Sequence, residues 1–450
     1  MRTLIAASLA AASMAYDHWA VLIAGSNTYS NYRHQSDVHH AYQIMKKNGI
    51  PESNIILMSY DDIAENWRNP FKGQVFNQPN GENVYFQSDI SYSGRDVNAT
   101  NFLAVLKGDS ATTGGKPVLQ SNSNSKVFIY YADHGATGLI GMPSGGYLYA
   151  DELSDALDYM EANNMYDELV FYLEACESGS MFPNLQDNSN AYAMTASNAS
   201  LSSWATYCGS DATVNGTLIG SCLGDLFSVN WMEDTDAADV STETLQTQQT
   251  TVIAETTQSP VQVFGDFSFL DEAIGDFEGA LDEVTDFEKD VEAFLDDHEK
   301  LKKFHSWGKK VHNKFQHAKA KIDKRMTNGK RRYKSVDQRD VELVDLFEHY
   351  IETGRADHRE ALEEMLEHRA KADRIFAKLN PSFNMEEEVK IEDYDCYRFL
   401  INTYESACEP LSFYSGKYAK VLGHACNTKD DFELAAFVNK IRRCMQRAKN

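Results

Sequence analysis

Two short apolar runs constrain what this chain can fold into more than anything else in it. They are Lys-Val-Phe-Ile-Tyr-Tyr-Ala at 126–132 and Glu-Leu-Val-Phe-Tyr-Leu-Glu at 168–174. Runs of this length, aromatic and apolar on both faces, predict strands buried inside a sheet. The segment 151–165 between them repeats Leu153, Leu157 and Met160 at helical spacing, which predicts an amphipathic helix. Strand, helix and strand in that order predict a crossover with parallel strands. Each run ends in a reactive group: Asp133-His134-Gly135 after the first, Cys176-Glu177-Ser178-Gly179 after the second. Parallel strands bring both groups to the carboxyl edge of the sheet, where open α/β folds place their sites. An imidazole and a thiol there point to nucleophilic catalysis by Cys176, with His134 returning a proton to the leaving amine. Gly135 admits a substrate backbone, and its N–H, with that of Cys176, suits a developing oxyanion.

At 450 residues the chain exceeds one ordinary core, so two or more domains are expected. A formal net charge of −25 argues against nucleic acid as a partner, since phosphates would be repelled. Residues 1–15 read as a signal peptide, apolar and ending in small residues. No later run approaches the ~20 apolar residues of a membrane span. The mature protein is therefore expected in the secretory route, in a lysosome or vacuole, or outside the cell. Sequons at Asn98, Asn198 and Asn215 agree with that route. Seven cysteines are most simply divided into one bridge in the Cys208–Cys222 loop, two among Cys396, Cys408, Cys426 and Cys444, and one free thiol, Cys176.

Alternating strand and helix signals from residue 16 to 265 predict an α/β domain with a mostly parallel sheet covered on both faces. Residues 19–25, 54–60 and 191–196 read as further strands, 34–47 and 101–107 as helices. The Thr-, Gln- and Ser-rich stretch 239–260 reads as an extended connection. Residues 266–334 read as a charged linker, acidic up to Glu299 and basic from Lys300. Residues 335–450 carry helical patterns to the end. Residues 1–265 hold a net charge of −19, so a basic stretch has an acidic surface to dock on.

Four blocks of residues resemble a known family. They are Asn-Tyr-Arg-His-Gln-Ser-Asp at 31–37, Asp-His-Gly-Ala-Thr-Gly at 133–138, Glu-Ala-Cys-Glu-Ser-Gly-Ser-Met at 174–181, and the stretch 223–234. Together they resemble the legumains, the asparaginyl endopeptidases or vacuolar processing enzymes of the caspase-like clan. Residues 335–450, with their four cysteines, are similar to the legumain prodomain. The resemblance implies a caspase-like catalytic domain, Cys176 as nucleophile, His134 as its partner and Asn31 orienting that histidine. It also implies a pocket for an asparagine side chain built from Arg33, Glu174 and Asp225, with His34, Ser202 and Ser203 around it. Bridges Cys396–Cys426 and Cys408–Cys444 follow from the same likeness. No cofactor or metal is implied. The implied partners are peptides with Asn before the cut, the chain's own prodomain as inhibitor, and a cystatin-type inhibitor.

The pocket chemistry stands without the family. A carboxamide needs both a donor and an acceptor, which Arg33 and the two carboxylates supply. An apolar side chain would leave those charges unpaired, and aspartate would enter when protonated. The family is made as zymogens, so 266–334 is expected to be an activation peptide released in acid by the enzyme itself, at Asn328 or alternatively Asn313. Two other readings compete. One is a peptide ligase using the same residues with an amine in place of water. The other is a non-catalytic protein whose helical block binds a partner.

Overall fold

A computed structural model describes residues 16–280 and 333–443. The signal peptide, Asn313, Asn328 and Cys444 lie outside the described residues.

The central sheet has six strands: β1 (Asp17–Ala24), β2 (Ile55–Met58), β3 (Ser125–Ala132), β4 (Glu168–Glu174), β5 (Ala191–Thr195) and β6 (Gln262–Gly265), in the spatial order β6-β5-β4-β3-β1-β2. Five run parallel, and β6 closes one edge antiparallel to β5. The two apolar runs are the central neighbours β3 and β4, paired in register from Lys126–Glu168 to Ala132–Glu174. Alternate residues feed two separate cores. Val127, Ile129, Leu169 and Phe171 pack with helices α2 (Ala99–Leu106) and α3 (Ala150–Ala162). Phe128, Tyr130, Val170 and Tyr172 pack with α1 (Tyr32–Lys47), α4 (Leu226–Ala237) and α5 (Leu245–Glu255). A strand buried on both faces has no polar side to show, hence its unbroken apolar sequence.

Two expectations are corrected. The stretch 239–260 is not an extended connection, because it contains α5. Thr244 caps that helix through Thr247 N, and Leu245 and Val252 enter the core. Gln248 is fully buried, accepting from Tyr172 Oη at 2.5 Å and donating to Thr235 Oγ1 at 2.9 Å. Its polarity is spent inside the protein rather than on water. The catalytic body also does not end at 265. Phe269, Leu270, Ile274 and Phe277 belong to the same core as α5, and Glu272 reaches the buried Lys126 ammonium at 2.9 Å. The acidic composition of this piece hid its apolar contacts.

The C-terminal block contains α6 (Val341–Thr353), α7 (Ala356–Leu379), α8 (Tyr394–Ala407), α9 (Ala419–Thr428) and α10 (Asp431–Arg442). Leu400, Tyr404, Leu422, Phe437 and Ile441 form its core, and the Cys396–Cys426 disulfide ties α8 to α9. The block does not open on a helix. Ser335–Asp337 is a strand that pairs antiparallel with Trp204–Thr206 of the catalytic body. No described helix is long and apolar enough to cross a membrane.

Candidate active site

Asp133 N donates to Glu174 O at 3.0 Å, continuing the β3–β4 ladder one step beyond the strands. His134 and Cys176 therefore leave neighbouring strand ends at equivalent positions. The turn after Cys176 is sharp: Glu177 takes the left-handed conformation (φ 48°), and its N–H is fixed by Leu201 O at 2.8 Å. At Gly135 a Cβ would stand 2.1 Å from Cys176 O, so only glycine fits between the two loops.

His134 Nε2 lies 2.8 Å from Asn31 Oδ1. Asn31 Nδ2 donates to Asn27 O at 2.9 Å, which leaves Oδ1 as the acceptor. The proton then belongs on His134 Nε2, and Nδ1 keeps its lone pair. Cys176 is buried and free, with Ser203 Oγ 3.9 Å from its sulfur. Burial pushes the thiol up to about 12 and holds His134 well below the usual imidazole range, the latter helped by Arg33 and Arg339. Thiol and imidazole are both neutral here.

A second group of residues gathers below this edge. Arg33 Nε donates to Asp225 Oδ1 at 2.9 Å, both fully buried. Glu174 Oε2 accepts from Ser228 N and Oγ, at 3.1 and 3.0 Å. His34 bridges the two groups, with Nδ1 3.3 Å from Asp133 Oδ1 and Nε2 3.4 Å from Asp225 Oδ2. Among the described residues Arg33 Nη2 and Glu174 Oε1 are buried without a hydrogen bond in ideal geometry, with Ser203 the side chain interacting with the Glu174 carboxyl. A donor and an acceptor in one pocket are what a carboxamide requires. Asp37, overlooked in the sequence, accepts from Asp225 N at 3.1 Å and from Asn77 Nδ2 at 2.6 Å. Burial, then the neighbouring Asp225 charge, pushes Asp37 and Glu174 well above the usual carboxylate range.

The C-terminal block enters this site. Gln338 N donates to Ser203 O at 3.1 Å, extending the pairing of the 335–337 strand, and Gln338 Nε2 donates to Asp225 Oδ1 at 3.1 Å. The next residue, Arg339, bonds Glu177 Oε2 and donates to Gly135 O at 3.1 Å. The Phe413 ring stacks on His134 with centroids 3.7 Å apart. None of these three was singled out from sequence. The one available signal was a carboxamide residue at the boundary between the charged linker and the first helical pattern.

Other positions are plainly located. The Ser202 carbonyl accepts from Ser197 Oγ at 3.2 Å, and Ser202 lines a hollow with Glu177 and Arg339. Cys208 and Cys222 are disulfide-bonded. Asn98 caps α2, Asn198 accepts from Ser200 N and Leu201 N, and Asn215 is exposed in a turn.

A parallel α/β sheet with a thiol and an imidazole at its carboxyl edge, covered by a helical block, defines a cysteine endopeptidase carried with its prodomain. The family model described as the Peptidase C13 family matches residues 18–280, and the legumain prodomain model matches 355–440. The chain is 37% identical over 434 residues to a vacuolar-processing enzyme of Vicia sativa, covering 91% of this chain and 82% of that one. It is 46% identical over 265 residues to legumain of Mus musculus, covering 58% of this chain and 59% of that one. A solved structure of caspase-1 from Spodoptera frugiperda aligns at 12% identity with a TM-score of 0.35, over 60% of this chain and 94% of that one. The chain belongs to the Peptidase C13, or legumain, family.

Proposed function

We propose that this chain is the latent form of an endopeptidase that cuts after asparagine through a Cys176 thioester. The observation that carries this is the half-made fit of Gln338. Its amide nitrogen donates to Asp225 Oδ1 at 3.1 Å and its side chain also interacts with His34, while among the described residues Arg33 Nη2 has no hydrogen-bond partner. A side chain one methylene shorter sets the carboxamide to meet both ends of the pocket.

In this reading His134 Nδ1 takes the Cys176 proton, and the thiolate attacks the carbonyl carbon of the asparagine. The oxyanion is held by the N–H groups of Gly135 and Cys176. The imidazolium protonates the departing amine, and water then hydrolyses the thioester. Asn31 keeps the ring in the required tautomer. While docked, the prodomain fills the groove with 335–339, covers His134 with Phe413, and keeps the sulfur protonated by excluding water. Release in acid, in a vacuole- or lysosome-like compartment, follows cleavage between the two described regions, with Asn328 and Asn313 as candidate sites.

The test is a peptide series differing only in the residue before the cut, offered to the acid-incubated chain. Asn is expected to exceed Gln by about a hundredfold in kcat/KM, near the limit set by one methylene. Cys176→Ser should abolish cleavage. Equal rates on Asn and Gln, or activity kept in Cys176→Ser, would sink the reading.

A further inference from the structure

We propose that Glu177 selects substrates with a basic residue immediately after the scissile bond, arginine above all. The proposal rests on the reading of Gln338 as standing where the asparagine binds, and deepens it by one position.

The register fixes that position. Val336 pairs with Ala205, and Gln338 N meets Ser203 O, so the segment runs along the groove in continuous antiparallel pairing. With Gln338 in the carboxamide pocket, Arg339 occupies the place of the residue on the leaving side of the bond. Its guanidinium is gripped by two catalytic-body acceptors: the carboxylate of Glu177, the residue next to Cys176 in the chain, and Gly135 O. A fork of donors meeting a carboxylate and a carbonyl suits arginine better than the single point charge of lysine.

The Glu177 backbone is fixed independently of the prodomain, by the left-handed turn and by the bond to Leu201 O, both within the catalytic body. The Glu177 side chain is 2% exposed. The cations beside it are Arg339 and Lys420, the carboxylate facing it is Asp337, and all three belong to the C-terminal block. When that block leaves, a carboxylate shaped to a guanidinium remains at the groove without its counter-charges. An incoming basic residue restores the pair, an apolar one leaves it unpaired, and an acidic one adds repulsion. A charge-assisted pair of this kind needs the carboxylate ionised, so the preference should shrink as pH falls and the group protonates.

The experiment uses the full-length chain after acid incubation, with peptides carrying Asn followed by Arg, Lys, Ala or Glu, assayed near neutral pH and again in acid. The expected kcat/KM order is Arg, Lys, Ala, Glu, with Arg over Glu by at least about tenfold, the scale of one charge-assisted hydrogen bond. Glu177→Gln should collapse the Arg-to-Glu ratio towards one, and Glu177→Arg should invert it. Cleavage after Asn at equal rates for Arg and Glu would overturn the role of Glu177 alone. Cleavage after some other residue with the Arg preference kept would overturn the carboxamide pocket and leave Glu177 standing.

Discussion

The inside of the catalytic sheet and the seam between that sheet and the C-terminal block are held by different chemistry. The sheet buries β1, β3 and β4 almost completely on both faces, with apolar and aromatic side chains in contact throughout. The seam is mixed. Ala136, Leu139 and Tyr149 touch the prodomain core, and Val336 lies against Ala205. Between those patches sit Arg339 with Glu177, Arg398 with Asp151 at 2.5 Å, and Lys420 Nζ with Ser200 O at 3.1 Å. Apolar burial changes little with pH, whereas contacts of this second kind respond to charge. Under the proposed function the first region persists and the second separates.

The sharpest way to break that contrast is Gln338→Asn. If the proposed asparagine specificity holds, it turns the docked strand into a substrate. Cleavage between positions 338 and 339 should rise about a hundredfold, read by terminal sequencing of fragments.

Next comes Arg339→Ala, which removes bonds to Glu177, Gly135 O and Phe413 O while leaving the sheet untouched. Opening of the prodomain should rise roughly 10–100-fold. The measurement is Cys176 alkylation at neutral pH, with the melting of the catalytic core unchanged.

A smaller effect is expected at His349. Its Nδ1 lies 2.8 Å from Asp345 O, and its Nε2 faces Arg68 Nη2 at 3.4 Å, so the ring nitrogen towards the cation is the acceptor. The His358 ring lies 5.9 Å away on the other side. His349→Arg sets a permanent cation against Arg68 and should speed neutral-pH opening of the C-terminal block about tenfold, read by Cys176 alkylation, whereas His349→Gln should leave it near wild type.

The smallest effect runs in the opposite sense. Burial holds Asp345 up at about 8, despite Arg68 nearby, so docking takes up a proton there. Its contribution is complete below the ordinary carboxylate range and is lost as pH rises through about 8. Asp345→Asn cannot titrate. It should therefore raise the proenzyme Tm above wild type by roughly 2–4 °C at alkaline pH and match it in acid.

Legibility from sequence followed the same divide. β3, β4, α1 and α3 were readable because a doubly buried strand or amphipathic helix writes its environment into consecutive residues. Helix α5 was not, because its polar Gln248 is satisfied by Tyr172, Thr235 and Glu278 across the core. Residues 266–280 were masked in the same way by their acidic composition. The pseudo-substrate strand 335–337 has three residues, and its partner, Trp204–Thr206, lies far away in the chain. No local pattern marks a pairing of that kind.

By itself the sequence determined that a thiol and an imidazole would stand at adjacent ends of parallel strands, because periodicity and order dictate the crossover. It also placed Arg33, Glu174 and Asp225 in recognisable blocks. Only the tertiary structure decided that Gln338 and Arg339 lie in the groove, with Phe413 over His134. Those contacts join segments remote in the chain, and they depend on where packed bodies meet rather than on what any one stretch prefers.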